Sequence, residues 1–390
     1  MSKKAITNEN TDAQSVQDWT DKYFTRSKNT LNHSPVVTYG VFIRRPCLMA
    51  TKLAEDWLKT FAEKENFPIL IQRNYEEGDL VGAGDPLLYI TASMKDIVET
   101  ETLLLQKIGA TCVAAMNAKE VCLALPDVHF LAMDARHCAG SDMAEMMAYA
   151  ASIGSKAAVE DEAKGFIGNA TDATSHFFGN EKGLGTMPHA LIGAYESTLE
   201  AAIAFREKNE DCALTVLVDY YGQEITDALA ICNHFSSLAK KGELSIRLDT
   251  HGARYIEGLN QQSSYKILEK YAPEAFRGYR SEEDLKHLTG TGVSAAAIWH
   301  MREKLNENGF EKVKIVASSG FNAAKCRAMK VAKAPIDMIG TGSYLPEKWP
   351  ETYATADIIC YDGVFKVKQG RDFLIDDYKK RYGEEQSSFV

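Results

Sequence analysis

"ALTVLVDYYGQEITDALAICNHFSSLAKKGELSIRLD" (213–249) decides the fold. Two short apolar runs, ALTVLVD (213–219) and LSIRLD (244–249), flank a stretch near 223–240 whose apolar residues recur at helical spacing. The runs read as buried strands and the middle as an amphipathic helix. A strand–helix–strand succession makes its two strands parallel neighbours. The alternation continues on both sides. VHFLAMD (128–134) precedes a helix near 142–153, and GLGTM (183–187) one near 189–207. VKIVAS (313–318) precedes a helix near 323–332, and IDMIG (336–340) closes the series. Repetition on this scale predicts an α/β chain built as an irregular (β/α) barrel over 126–345. No Gly-x-Gly-x-x-Gly follows the first strand, which weighs against a dinucleotide-binding sheet.

The region before residue 126 lacks this rhythm. VVTYGVFI (36–43) reads as a strand stopped by Pro46, and 51–66 as a helix through Leu53, Trp57, Leu58 and Phe61. EEGDLVGAGDPLLYI (76–90), punctuated by glycines and a proline, predicts a hairpin, and 95–120 a further helix. These elements define an N-terminal α+β domain over 1–125. It is joined by 346–390, where GVFKVKQGRDF (363–373) predicts a returning strand pair before a charged, mobile tail. Residues 1–20 read as a loosely held polar arm.

The 390 residues carry a formal net charge of −10, and 45% are hydrophobic, enough for a sizeable core and against wholesale disorder. The acidic balance argues against a protein built to grip nucleic acid or anionic lipid. The N-terminal stretch lacks a signal peptide's apolar segment, and no apolar run reaches membrane-spanning length. The eight cysteines form no Cys-x-x-Cys pair and read as reduced core residues of a cytoplasmic protein.

Strand ends carry the chemistry. In a (β/α) barrel all C-terminal strand ends open on one face. Here they supply Asp134 and Arg136, Thr186 and His189, Asp219, Arg247 and Asp249, then SSG (318–320) and GTGS (340–343). A single strand-ending Asp is usually a cap or loop residue, and a lone His usually packs; a whole rim of such groups points to a site. Ser319, Gly320, Gly340, Thr341 and Gly342 offer bare backbone N–H groups suited to phosphate oxygens. Arg136 and Arg247 can fork onto carboxylate or phosphate. Asp219 and Asp249 can accept from ribose hydroxyls or hold Mg²⁺ through water. A phosphorylated sugar, in a small nucleotide or its precursor, fits such a rim.

These residues also resemble a known family. GLGTMPHA is similar to the Gly-Thr-x-x-His signature of nicotinate phosphoribosyltransferases, IRLDTHG to their Arg-x-Asp-Ser/Thr segment, and IDMIGTGSYL to their phosphate-binding loop. TDKYF (20–24) resembles the family's N-terminal Thr-Asp-x-Tyr. The stretch from EGDLVGAGDPLLYI to residue 110 resembles its N-terminal strand-and-helix segment. The resemblance implies a type II phosphoribosyltransferase fold, a homodimer, and formation of nicotinate mononucleotide from nicotinate and phosphoribosyl pyrophosphate, with Mg²⁺ and often ATP. It implies that Tyr23 and Thr186 contact the pyridine, that His189 becomes phosphorylated, and that Arg247 and Thr341 bind phosphoribosyl pyrophosphate. Phe166 is a further candidate for stacking on the ring. Quinolinate or nicotinamide as acceptor is the alternative within the same fold.

Two departures stand out. The family's Asp-Ser-Gly-Asp is Asp249-Thr250-His251-Gly252 here, without the second acid. GNATDA (168–173) stands where Gly-Thr-Ser-Asn is common. Both look closer to the family's shorter, archaeal-like branch. From another class, the 77–90 segment alone resembles a lipoyl or biotinyl carrier, but Lys95 lies too far past the strand to carry the cofactor. A catalytically inactive barrel kept for binding is opposed by the intact Thr186, His189, Arg247, Asp249 and Thr341.

Overall fold

A computed structural model describes residues 12–210, 212–347 and 353–383. The chain divides into two compact units, one of residues 1–118, 138–157 and 345–390, the other of 119–137 and 158–344.

The first unit is built on a five-stranded antiparallel sheet. Its strands are β1 (Val36–Ile43), β3 (Leu70–Arg73), β5 (Pro86–Ser93), β12 (Ala354–Tyr361) and β13 (Val364–Phe365), in the order β13-β12-β1-β5-β3. The central strand β1 is apolar at almost every position and almost wholly buried, as a strand covered on both faces must be. Thr38 and Thr91 face each other in register and share a hydrogen bond of 2.9 Å. The helix Asp372–Tyr382 packs Leu374 and Tyr378 onto Phe42, Tyr89 and Ile359. The Tyr89 hydroxyl donates to the Leu374 carbonyl.

The hairpin expected at 76–90 does not form. β4 (Leu80–Val81) pairs with β2 (Cys47–Leu48), whereas β5 pairs with β1 and β3. The apolar residues of β5 are drawn into the central sheet, where they gain more burial than a local hairpin offers. The returning C-terminal strand is β12 rather than 363–373. β13 folds back on β12 through Asp362-Gly363, both at positive φ (+47° and +81°), the dipeptide that a two-residue hairpin turn favours. The Asp362 carboxylate also accepts from the Val36 N–H at 2.8 Å. The helix Ser141–Glu160, expected near 142–153 beside the barrel strands, belongs over most of its length to this unit. There its Tyr149 hydroxyl bonds the Glu77 carboxylate.

The second unit holds six parallel strands, β6 (His129–Ala132), β7 (Phe166–Asn169), β8 (Leu214–Leu217), β9 (Leu244–Leu248), β10 (Lys314–Ala317) and β11 (Met338–Thr341). Their order is β7-β6-β11-β10-β9-β8. Parallel order through intervening helices sends every C-terminal strand end to one edge. GLGTM is not one of the strands. β7 lies upstream, and 183–187 crosses its end, with the Leu184 N–H bonded to the Asn169 carbonyl at 2.7 Å. A side chain at Gly168 would meet Leu184 at 2.8 Å, so the strand and the crossing segment need that glycine. The long helix expected from 189 is also broken. His189–Ile192 makes one turn, and a second helix, Thr198–Lys208, starts afresh with Ser197 accepting from the Glu200 N–H. Gly193 ends the first turn, where a Cβ would meet the hydroxyl of the exposed Tyr220 and displace that side chain.

Glu101, in the first unit, gives a stability prediction. Burial, and after it the nearby Asp357 and Asp21 carboxylates, raise its pKa to about 8. The folded chain therefore binds more protons than the unfolded chain between the ordinary carboxylate range and pH 8. Stability from this group is lost as pH rises through that window. Glu101→Gln is expected to flatten the decline, a difference on the order of 2 kcal/mol between pH 5 and 8. Urea denaturation at both pH values checks this; parallel pH profiles for the two proteins would contradict it.

Candidate active site

The edge of the second unit where the strands end opens into a cavity of about 450 Å³. Its walls come from three strand ends and a crossing segment: Met133 and Arg136 after β6, Ala170 and Thr171 after β7, Arg247 and Asp249 around the end of β9, and the stretch from Leu184 to His189. Arg247 organises it. The side chain is 7% exposed and each guanidinium nitrogen has a partner. Nη1 donates to the Thr186 hydroxyl at 2.7 Å, Nη2 to the Asp249 carboxylate at 2.9 Å, and Nε to the Ser318 hydroxyl at 3.0 Å. The fixed fork of arginine suits three acceptors in three directions. Burial lowers the Arg247 pKa, Asp249 opposes that, and the nearby Arg136 adds to it. The guanidinium stays charged and its carboxylate partner keeps it tolerable in the interior.

His189 lies beside this centre. Its Nε2 is 3.1 Å from both carboxylate oxygens of Asp219, the residue just past β8. The imidazole is 45% exposed while Asp219 is largely buried. Burial raises the Asp219 pKa, and the contact with His189 pulls it back. With only a four-residue helix behind His189, the carboxylate rather than a helix dipole orients the ring.

The loops after β10 and β11 interlock with the same edge. The Thr341 hydroxyl is buried and donates to the Phe321 carbonyl at 2.8 Å. A Cβ at Gly340 would meet the Met133 sulfur at 2.7 Å, and one at Gly342 the Met133 carbonyl oxygen at 2.6 Å. Both glycines let the 340–342 segment pass directly against the end of β6. Ser319 and Gly320 form an open turn with φ of +79° and +64°. Beyond β9, Thr250 donates to the fully buried Glu224 carboxylate, which also pairs with Arg254 and accepts from the Glu257 N–H.

The structure thus brings together Arg136, Thr186, His189, Asp219, Arg247 and Asp249, with the 319–320 and 340–342 segments linked to them. Three expected residues fall elsewhere. Phe166 starts β7, paired in register with Phe130, and their rings pack 5.4 Å apart. It is a core residue, because it sits at the entry end of its strand rather than the exit end. Asp134 is 2% exposed, beneath the rim, with its backbone against the 342 segment. Tyr23 belongs to the first unit, where it and Glu101, Met143 and Tyr353 line a separate cavity of about 510 Å³. Thr171, Ser318 as an arginine partner, and Glu224 are additional site residues. Thr171 was hidden because β7 itself was not recognised in the sequence. Among the described residues no helix is long and apolar enough to cross a membrane.

No family model matches the chain. In sequence it is 25% identical over 297 residues to a nicotinate phosphoribosyltransferase of Mycobacterium tuberculosis, an alignment that takes in 75% of this chain and 52% of that protein. The chain spans about half the length of the curated relatives it matches. In structure it is similar to the nicotinate-nucleotide pyrophosphorylase of Pyrococcus furiosus, with a TM-score of 0.67 and 22% identity, covering 92% of this chain and 79% of that one. It is also similar to human nicotinic acid phosphoribosyltransferase, with a TM-score of 0.56 and 15% identity over 90% and 76% of the two chains. The chain has the type II phosphoribosyltransferase fold.

The buried fork makes a direct prediction. Arg247→Met leaves the carboxylate of Asp249 facing an apolar side chain. It is expected to cost about 3 kcal/mol of stability, read as a lower urea midpoint. Unchanged stability would mean that the fork does not tie the strand ends together.

Proposed function

We propose that the chain is a nicotinate phosphoribosyltransferase of pyridine nucleotide and NAD biosynthesis, forming nicotinate mononucleotide and pyrophosphate from nicotinate and phosphoribosyl pyrophosphate. The observation that carries this reading is the Arg247 fork at the mouth, joined to Thr186, Asp249 and Ser318. In the reaction the pyridine nitrogen bonds to the anomeric carbon as the carbon–oxygen bond to pyrophosphate breaks. Positive charge builds on the ribose ring and negative charge on the leaving group. Asp249, held by Arg247, steadies the ribose and its hydroxyls, and the Ser319–Gly320 and 340–342 segments take the 5′-phosphate. Thr186 accepts from Arg247 and keeps its own proton to donate to a carboxylate.

Arg136 is exposed, lines the cavity, and meets no carboxylate among the described residues. Arg247 is already committed. One open guanidinium matches the single carboxylate of nicotinate better than the two of quinolinate, and gives nicotinamide no charge partner. Mg²⁺ belongs to this reading as the companion of the phosphates. It rides on the substrate phosphates, with Asp249 within the same mouth to accept from its bound water. A homodimer and a cytoplasmic location are part of the same reading.

ATP enters through His189. A carboxylate at Nε2 makes that nitrogen the proton donor, which leaves the lone pair of the neutral ring on Nδ1. Attack by Nδ1 on the γ-phosphorus forms the nitrogen–phosphorus bond as the bond from that phosphorus to the ADP oxygen breaks, and water then cleaves the phosphohistidine to inorganic phosphate, restoring His189 during the transfer cycle. Purified protein is expected to release pyrophosphate at least about tenfold faster with nicotinate than with nicotinamide or quinolinate, a margin one charge pair supplies. ATP should raise the rate, and His189→Ala should remove that stimulation while keeping a slow ATP-independent transfer. Asp249→Asn should lower turnover roughly 10²-fold. Preference for quinolinate in the same assay, with or without ATP, would replace the proposed acceptor.

A further inference from the structure

The turn after β10 is held by a residue that the transfer reaction does not call upon. Ser319 is a non-glycine residue in the left-handed region, and Gly320 follows it there, a combination that persists only when its surroundings enforce it. The side chain bonded to this turn is Lys325, from the first turn of the helix Ala323–Val331. Lysine is almost never fully buried, yet Lys325 is 7% exposed. Its Nζ donates to the Ser319 carbonyl at 2.6 Å and lies 4.3 Å from the centre of the Phe321 ring. Burial lowers its pKa to about 8. Cys326 on its own helix and Asp249 after β9 act against that shift, and Lys286 on the neighbouring helix Glu282–Thr289 acts with it. His287 on that helix is itself held below its usual range by burial and by Lys325.

The consequence follows from peptide geometry. The bond between Ser319 and Gly320 is trans and planar, so its C=O and N–H point in opposite directions. A carbonyl drawn inward onto Nζ turns the Gly320 N–H outward. Gly320 is exposed, a Cβ there would meet nothing within 4 Å, and its N–H has no acceptor among the described residues. We propose that Lys325 is a positioning residue that clamps this turn, so that the Gly320 N–H and the ammonium charge behind it together face a phosphoryl group of the sugar phosphate. The proposal rests on the phosphate-binding part of the function given above.

The test is calorimetric titration of ribose 5-phosphate into the parent protein, Lys325→Met and Lys325→Ala. Loss of the clamp should weaken ribose 5-phosphate binding about tenfold, the scale of one charge-assisted hydrogen bond. The KM for phosphoribosyl pyrophosphate should rise in parallel, with kcat and the KM for nicotinate little changed. Added ethylamine should restore part of the binding in Lys325→Ala, which a general loss of packing would not allow. Ribose 5-phosphate affinity within about twofold of the parent in a cooperatively folding Lys325→Met would overturn the clamp. If neither variant folds, ¹⁵N-lysine spectra of the parent decide. The Lys325 titration midpoint should move upward on saturation with ribose 5-phosphate, and an unmoved midpoint overturns the proposal. A parent that binds ribose 5-phosphate but transfers it to no pyridine refutes the nicotinate reading alone. A parent that does not bind it refutes both.

Discussion

The second unit depends on one buried cation. Arg247 stands near the end of β9, a strand with a neighbour on each side, withdrawn from water, and its charge is acceptable there only because Asp249, two residues on, supplies the opposite charge. The remaining donors reach Thr186 in the segment crossing the end of β7 and Ser318 at the end of β10. A single side chain therefore sets the relative positions of three loops that sequence alone leaves independent. Fixing donors before a substrate arrives is what makes electrostatic stabilisation effective, since little reorganisation remains for the reaction step.

The loops around Arg247 are held by short-range necessities of the same kind. Gly342 is needed because the exit of β11 passes within contact of the Met133 backbone, while at Gly340 the neighbour is the flexible end of the Met133 side chain. Thr341 spends its hydroxyl on the Phe321 carbonyl and so joins the last two loops. Glu224 gathers Thr250 and Arg254 below the β9 exit. Residues that the family likeness marks as ligand-binding thus also carry the packing of the rim. Thr341 is the clearest case, its side chain facing the protein interior while its backbone remains the candidate contact for phosphate.

Much of this was legible in the sequence because parallel strands buried on both faces are nearly continuous apolar runs. LSIRL, KIVA and LTVL could be read directly, and their polar exits with them. β7 escaped because FIGN is four residues long, with a glycine inside, and the more punctuated GLGTM nearby mimicked a strand exit. The break after Ile192 escaped because its local marks, Gly193 and the Ser197 cap that restarts the helix, are weaker than the apolar spacing on either side. The helices Gln261–Tyr271 and Glu282–Thr289 open with capping boxes at Asn260 and Ser281, a local signal that was available but not read. Phe166 looked eligible for stacking because side-chain type does not reveal which end of a strand a residue occupies. Lys325 had no sequence signal at all, since a lysine three residues past a helix cap is ordinarily a solvated one.

The central claim is that these strand ends converge to clasp a phosphorylated sugar. Its most direct test is a crystal structure of the protein soaked with phosphoribosyl pyrophosphate. The expected result is density for the 5′-phosphate against the Ser319–Gly320 turn and the 340–342 segment, with the ribose beside Asp249. A fully occupied ligand bound away from Arg247, with those turns untouched, would contradict it.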